Sequence, residues 1–69
     1  MTPKQEKILS IIERYGRING ITAEDIGVAG GYPRKKAEKW AKPALKFLVK
    51  EKKIRRDGER FYKKEDNST

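Results

Sequence analysis

The chain of 69 residues contains no cysteine and no histidine. The first absence excludes a disulfide framework and a thiolate metal site. The second removes the commonest metal ligand and the usual general base at neutral pH. Long apolar runs are missing too. No stretch approaches the roughly 20 residues that cross a bilayer, and Met1 to Glu6 lack the apolar core of a signal peptide. Apolar residues make up only 35% of the chain, and a domain this short buries about 60% of the surface its unfolded chain exposes. These absences predict one small, soluble, reduced intracellular domain over residues 1–64, followed by a disordered polar tail over 65–69. No metal, cofactor or membrane contact is expected.

Catalysis is not expected either. Without His or Cys, a nucleophile and its base must come from Lys, Tyr, Ser or carboxylates, and nothing at helical or strand spacing pairs two of them. Glu24 and Asp25 are adjacent, but neighbours on a helix point about 100° apart. They suit the first turn of a helix, where its dipole favours negative charge.

What the chain has is positive charge, placed unevenly. Residues 1–33 balance four basic side chains against four acidic ones. Residues 34–64 carry fourteen basic side chains and four acidic ones, and the net charge of the chain is +8. A cationic half of this kind repels itself, which calls for a polyanionic partner.

Thr2-Pro3-Lys4-Gln5 reads as a capping box with Pro3 at the first helical position. Ile8, Leu9, Ile11, Ile12 and Tyr15 then follow one helical face, and Gly16 suits a left-handed C-terminal cap. The first helix is therefore expected over about 3–15. Gly20-Ile21-Thr22 offers a brief strand. Thr22 opens a second, two-turn helix with Ile26 and Ala29 facing inward, weakened by Gly27 and ended by Gly30-Gly31.

The third helix, expected over about 33–52 with Pro33 at its start, sorts its residues by phase. With Lys35 at zero and about 100° per residue, Ala37, Trp40, Ala41, Ala44, Leu45, Phe47 and Leu48 fall between about 120° and 280°. Lys35, Lys39, Lys42, Lys46, Lys50 and Lys53 fall within about 60° of zero. Pro43 lacks the amide that would bond the Lys39 carbonyl. The apolar stripe keeps its phase across it, which favours one kinked helix over two. Beyond it, Asp57-Gly58 between Ile54-Arg55-Arg56 and Glu59-Arg60-Phe61-Tyr62 signals a hairpin with a type I′ turn. That loop pairs Arg56 with Glu59, Arg55 with Arg60 and Ile54 with Phe61. Ile54 and Phe61 then face inward, while Arg55, Arg60 and Tyr62 face out.

The fold class expected is α+β, mostly α: three helices and a C-terminal two-stranded β-hairpin. This order resembles the winged-helix variant of the helix-turn-helix superfamily across residues 2–64. The resemblance is carried by Ile21-Thr22-Ala23-Glu24-Asp25-Ile26, by Ala44-Leu45-Lys46-Phe47-Leu48-Val49, and by the wing from Ile54 to Tyr62. Z-DNA-binding winged helices are similar in length and first helix. They carry an Asn-x-x-x-Tyr pair on the third helix and a Pro-rich wing bearing Trp, which this chain lacks. The globular domain of linker histones looks similar around Gly30-Gly31-Tyr32.

The resemblance implies a third helix in the major groove of duplex DNA and a wing on the backbone. Arg34, Lys35, Lys36 and Lys39 become groove candidates, with Arg34 suited to a guanine edge and the lysines to phosphates. Arg55 and Arg60, as like charges side by side, would be reconciled by a phosphate between them. Tyr62 would touch sugar or phosphate, and Tyr32 is either a phosphate contact or a packing residue. Trp40 is assigned to the core, and Lys42, Lys46 and Lys50 to a solvated face. A transcriptional regulator or general DNA-binding protein follows, cytoplasmic or associated with a nucleoid or nucleus, monomeric or a weak homodimer. The alternatives are a domain docking on an acidic protein partner and a binder of structured RNA.

Overall fold

The computed structural model describes residues 1–64, so the expected tail over 65–69 lies outside the described residues. In chain order the elements are α1 (Pro3–Tyr15), β1 (Ile21–Thr22), α2 (Ala23–Ala29), α3 (Arg34–Lys50), β2 (Ile54–Asp57) and β3 (Arg60–Lys63). The domain is a mostly helical α+β unit with a three-stranded antiparallel sheet in the order β1-β3-β2. The expected two-stranded hairpin thus gains a third strand from the segment before α2. No helix among the described residues is long and apolar enough to cross a membrane.

The capping box at α1 forms as its residues dictate: Gln5 N donates to Thr2 Oγ1 at 3.2 Å and Thr2 N to Gln5 Oε1 at 2.9 Å. Ile8, Ile11 and Ile12 are buried and Leu9 is half-buried. Tyr15 departs from the expected stripe and is 56% exposed. β3 runs past the helix at that point, and Lys63 N donates to Gly16 O at 2.9 Å. Gly16 is not left-handed, with φ −98°. Its glycine is required by close approach instead, because a Cβ would stand 2.9 Å from both Ile12 O and Phe61 O.

Thr22 caps α2 by accepting from Asp25 N at 3.2 Å. Ile26 is buried, whereas Ala29 turns out to be exposed. The helix has only seven residues, and the inward face of so short an element is filled by Ile26 and Gly27. Gly27 is buried against α3, where a Cβ would overlap the carbonyl oxygen, Cα and Cβ of Ala37. Its cost in helix propensity is offset by this contact.

α3 is one helix of 17 residues running through Pro43 without a break. Pro33 stands outside it as the N-cap residue, with extended ψ 147°. Pro43 is exposed, so water can reach the carbonyl it leaves unpaired. Ala41, Ala44, Leu45 and Leu48 are buried in one cluster with Ile8, Ile12 and Ile26 and, from the sheet, Ile21, Ile54 and Phe61, while Ala37 is buried against Gly27. The helix ends in a Schellman arrangement: Lys52 N donates to Val49 O at 3.0 Å and Lys53 N to Leu48 O at 2.9 Å. Lys52 therefore holds φ +58°, the only non-glycine residue with positive φ among the described residues, at a position where glycine is preferred.

The hairpin register differs from the expected one by two residues. Ile54 pairs with Lys63, Arg55 with Tyr62, Arg56 with Phe61 and Asp57 with Arg60. Gly58 and Glu59 thus form the loop. Gly58 has φ +63° while Glu59 is not left-handed, which suits a type II′ turn with glycine first. The physical reason lies in the pairs. The expected register sets Arg55 against Arg60, whereas this one sets Arg60 against Asp57 and lays the Arg55 guanidinium 4.9 Å from the Tyr62 ring centroid. Opposite charges across strands and cations over aromatics stabilise such pairs. Because the shift is even, Ile54 and Phe61 still face inward, at 3% and 8% exposure.

The Gly27 contact generates a test. Gly27→Ala would raise helix propensity in isolation, yet here the added methyl meets the backbone and Cβ of Ala37, neither of which can swing aside. We expect a net loss of about 2 kcal/mol or more, in the upper range for overpacking, measured by chemical denaturation. Unchanged or increased stability would show that α2 and α3 can separate freely.

Candidate functional site

Along α3, Lys35, Lys39, Lys42, Lys46 and Lys50 are all exposed, and their spacing puts them in one line about 22 Å long at 1.5 Å per residue. The opposite side of the helix is the core, so the ridge is fixed in direction by the packing of Ala37, Ala41, Ala44 and Leu48. Within the ridge the structure has one ion pair, Lys42 with Glu38 at 3.9 Å, between side chains 72% and 56% exposed. Lys42, Lys46 and Lys50 continue the line begun by Lys35 and Lys39. Their assignment to a solvated face agrees with this exposure.

The remaining candidates separate from one another. Arg34 lies off the ridge with its Nη1 2.5 Å from Glu24 Oε1 and 3.5 Å from Asp25 Oδ1. The hydrogen bond and charge of Glu24, followed by those of Asp25, raise the guanidinium pKa further above its already high value. Glu24 and Asp25 thus do more than favour the start of α2: they hold Arg34 at the start of α3. Lys36 is rotated about 100° from Lys35 and stands one turn before Trp40.

Tyr32 stacks on Trp40, with ring centroids 4.3 Å apart and planes 23° apart. Lys4 Nζ approaches the same indole to 5.3 Å, and a Cβ on Gly30 would meet it at 2.7 Å. Trp40 is half-buried and packs on the core. Tyr32 is therefore a packing residue that closes the end of α2 over α3, still 39% exposed.

On the hairpin, Arg60 Nη1 donates to Asn19 O at 3.3 Å, tying β3 to the loop before β1. Arg55 and Arg60 share the outer face only as diagonal neighbours, so a phosphate between directly opposed arginines has no basis in this register. Arg56 does not pair with Glu59 and donates from Nε to Gly58 O at 2.9 Å.

Between α3 and the inner face of the hairpin lies an open groove of about 940 Å³. Leu45, Val49 and Phe61 contribute apolar surface, while Glu24, Glu38 and Glu59 offset Lys42, Lys46 and Arg56 along its sides. The groove is thus electrically mixed, and the ridge above it is cationic. Comparison with known proteins finds no matching family model, no matching curated protein and no matching solved structure.

Like charges at i, i+4 destabilise a helix by about 0.2–0.5 kcal/mol per pair. Lys46 faces Lys42 on one side and Lys50 on the other. Lys46→Ala should therefore raise stability by about 0.4–1 kcal/mol at low salt, a gain that fades at 1 M salt as screening shortens to about 3 Å. Thermal melts at both ionic strengths check this, and equal stability of the two chains at low salt would contradict a repulsive ridge.

Proposed function

We propose that the chain is a winged-helix domain that binds duplex DNA, with α3 in the major groove and the β2–β3 hairpin as the wing. The observation that carries this is the line of five exposed lysines on the outer side of α3, interrupted by one acidic neighbour, Glu38. Five like charges in one line make a poor surface for a free protein and a suitable one for a line of phosphates. Support for the fold reading comes from the element order, from α2 packed closely across the start of α3, and from the hairpin joined to the segment before α2 through β3.

DNA suits the ridge better than double-stranded RNA. The B-form major groove admits an α-helix, whereas the A-form one is too deep and narrow for side chains to read. Lysine is a hydrated point charge, which favours phosphates over base edges. Arg34 remains the candidate base reader, and it must exchange Glu24 and Asp25 for a guanine edge to act as one. The chemistry on offer is backbone capture with modest sequence preference.

Fluorescence anisotropy of labelled duplexes at 50–200 mM salt tests the proposal. Neutralising five or six phosphates gives a slope of log affinity against log salt of about −4.5 to −5.5. Lys39→Ala with Lys46→Ala should flatten that slope by about 1.8 and weaken unrelated sequences equally. Arg34→Ala should remove such sequence preference as exists, and an unchanged preference would exclude it as the reader. No binding at 50 mM salt would overturn the proposal and leave the basic surface to an acidic protein partner.

A further inference from the structure

At the base of the hairpin, where it meets the ends of α1 and α3, lies a second open cleft of about 640 Å³. Arg17, Lys52, Arg55, Lys63 and Lys64 line it together with Ile18, Val49, Ile54 and Tyr62, and among the described residues no carboxylate does. The groove beside α3 balances its charges, three against three, whereas this one has a single sign. None of the five cations takes part in an ion pair among the described residues.

Three separate parts of the chain supply these residues. The hydrogen bond from Lys63 N to Gly16 O brings the end of α1, and with it Arg17, beside the end of β3. The Schellman turn delivers Lys52 from the end of α3. Arg55 comes from β2, laid over Tyr62. Sequence spacing alone could not have grouped them.

Lys52 adds an independent indication. It occupies left-handed backbone, φ +58°, where glycine removes the strain of a β-carbon. A lysine there lowers stability, and the positive charge it contributes enters this cleft. Strain kept at one residue of a charged site points to a role in binding.

The chemistry of the cleft selects among ligands. Tyr62 is half-buried, with Arg55 over its ring and a Cβ on Gly20 only 2.7 Å from it. Little of the ring is left for a base to stack on. What the cleft presents is five flexible cations, which match phosphate oxygens. We propose that it is a second phosphate site, holding a stretch of DNA backbone separate from the one on α3, so that phosphates are held at the base of the hairpin as well as along the helix. This rests on the DNA-binding reading above and extends it beyond Arg55 to Arg17, Lys52, Lys63 and Lys64, which the winged-helix resemblance did not supply.

The test is an amide-resolved NMR titration of the full chain with a 12-base-pair duplex, joined to salt-dependent anisotropy of an Arg17→Gln, Lys52→Gly double variant. Lys52→Gly relieves the left-handed strain, so the variant should melt no lower than the parent. We expect shifts at Arg17, Lys52, Lys63 and Lys64 as well as along α3, and a salt slope flatter by about 1.8, amounting to more than ten-fold weaker binding near 100 mM salt. Shifts along α3 alone, with an unchanged slope in a folded variant, would overturn the second site while leaving the DNA reading standing. Absence of shifts everywhere would overturn both.

Discussion

Gly27 lies against Ala37 with no room for a β-carbon between α2 and the backbone of α3, and the direction of every side chain on α3 depends on that contact. A seven-residue helix cannot hold its own conformation in water. It is held here by being pressed onto a neighbour, and the neighbour is made receptive by small residues. Ala37, Ala41 and Ala44 line the buried side of α3 where larger side chains would push α1 and α2 away. Leu45 and Leu48 then fill what remains against Ile8, Ile12 and Ile26, all nearly inaccessible. Once that side is fixed, the lysines have one place to go.

Its consequence is a division of the cations into two kinds. Arg34 is compensated within the molecule, by Glu24 and Asp25 across the turn from α2. The ridge is only loosely compensated: Glu38 is 3.9 Å from Lys42, both exposed, in its one ion pair among the described residues, and Glu24 and Glu59 stand across the groove from Lys42 and Lys46. An exposed pair of that length contributes little. Placing the planar, bidentate cation where carboxylates hold it, and the hydrated ones where little does, makes a surface better suited to diffuse attraction than to recognition of one sequence.

How far the fold could be read from the chain followed from whether the determinants were local. The capping box at Thr2 and Gln5 and the Thr22 cap are contained within four residues, and both form as expected. The phase of α3 is equally local, and it carried the helix through Pro43. The hairpin register is not local in this sense. Asp57-Gly58 marked the turn, but the choice between neighbouring registers came from Arg55 meeting Tyr62 and Arg60 meeting Asp57, pairs that exist only once the strands align. Gly16 and Gly27 looked like caps and helix breakers, and each proved to mark a close approach by another element. Tyr15 followed the helical period and was left outside because β3 passes there.

The candidate site shows the same limit more sharply. Lys35 and Lys39 could be placed on the outer side from spacing alone, because a helix face is a one-dimensional property. The partners of Arg34 lie ten and nine residues away on another helix, and Tyr32 could be assigned to packing only when Trp40 was seen beneath it. The cleft behind the hairpin is the extreme case, since Arg17 and Lys63 are brought together by a single backbone hydrogen bond from β3 to Gly16. With β3 anchored to the end of α1 on one side of Phe61 and to Ile21 and Thr22 on the other, the hairpin cannot swing independently of the helices. A hairpin held in this way keeps its charges at a fixed distance from those of α3, so under the proposed function contacts on the two elements would be made together, without a further loss of hairpin freedom on binding.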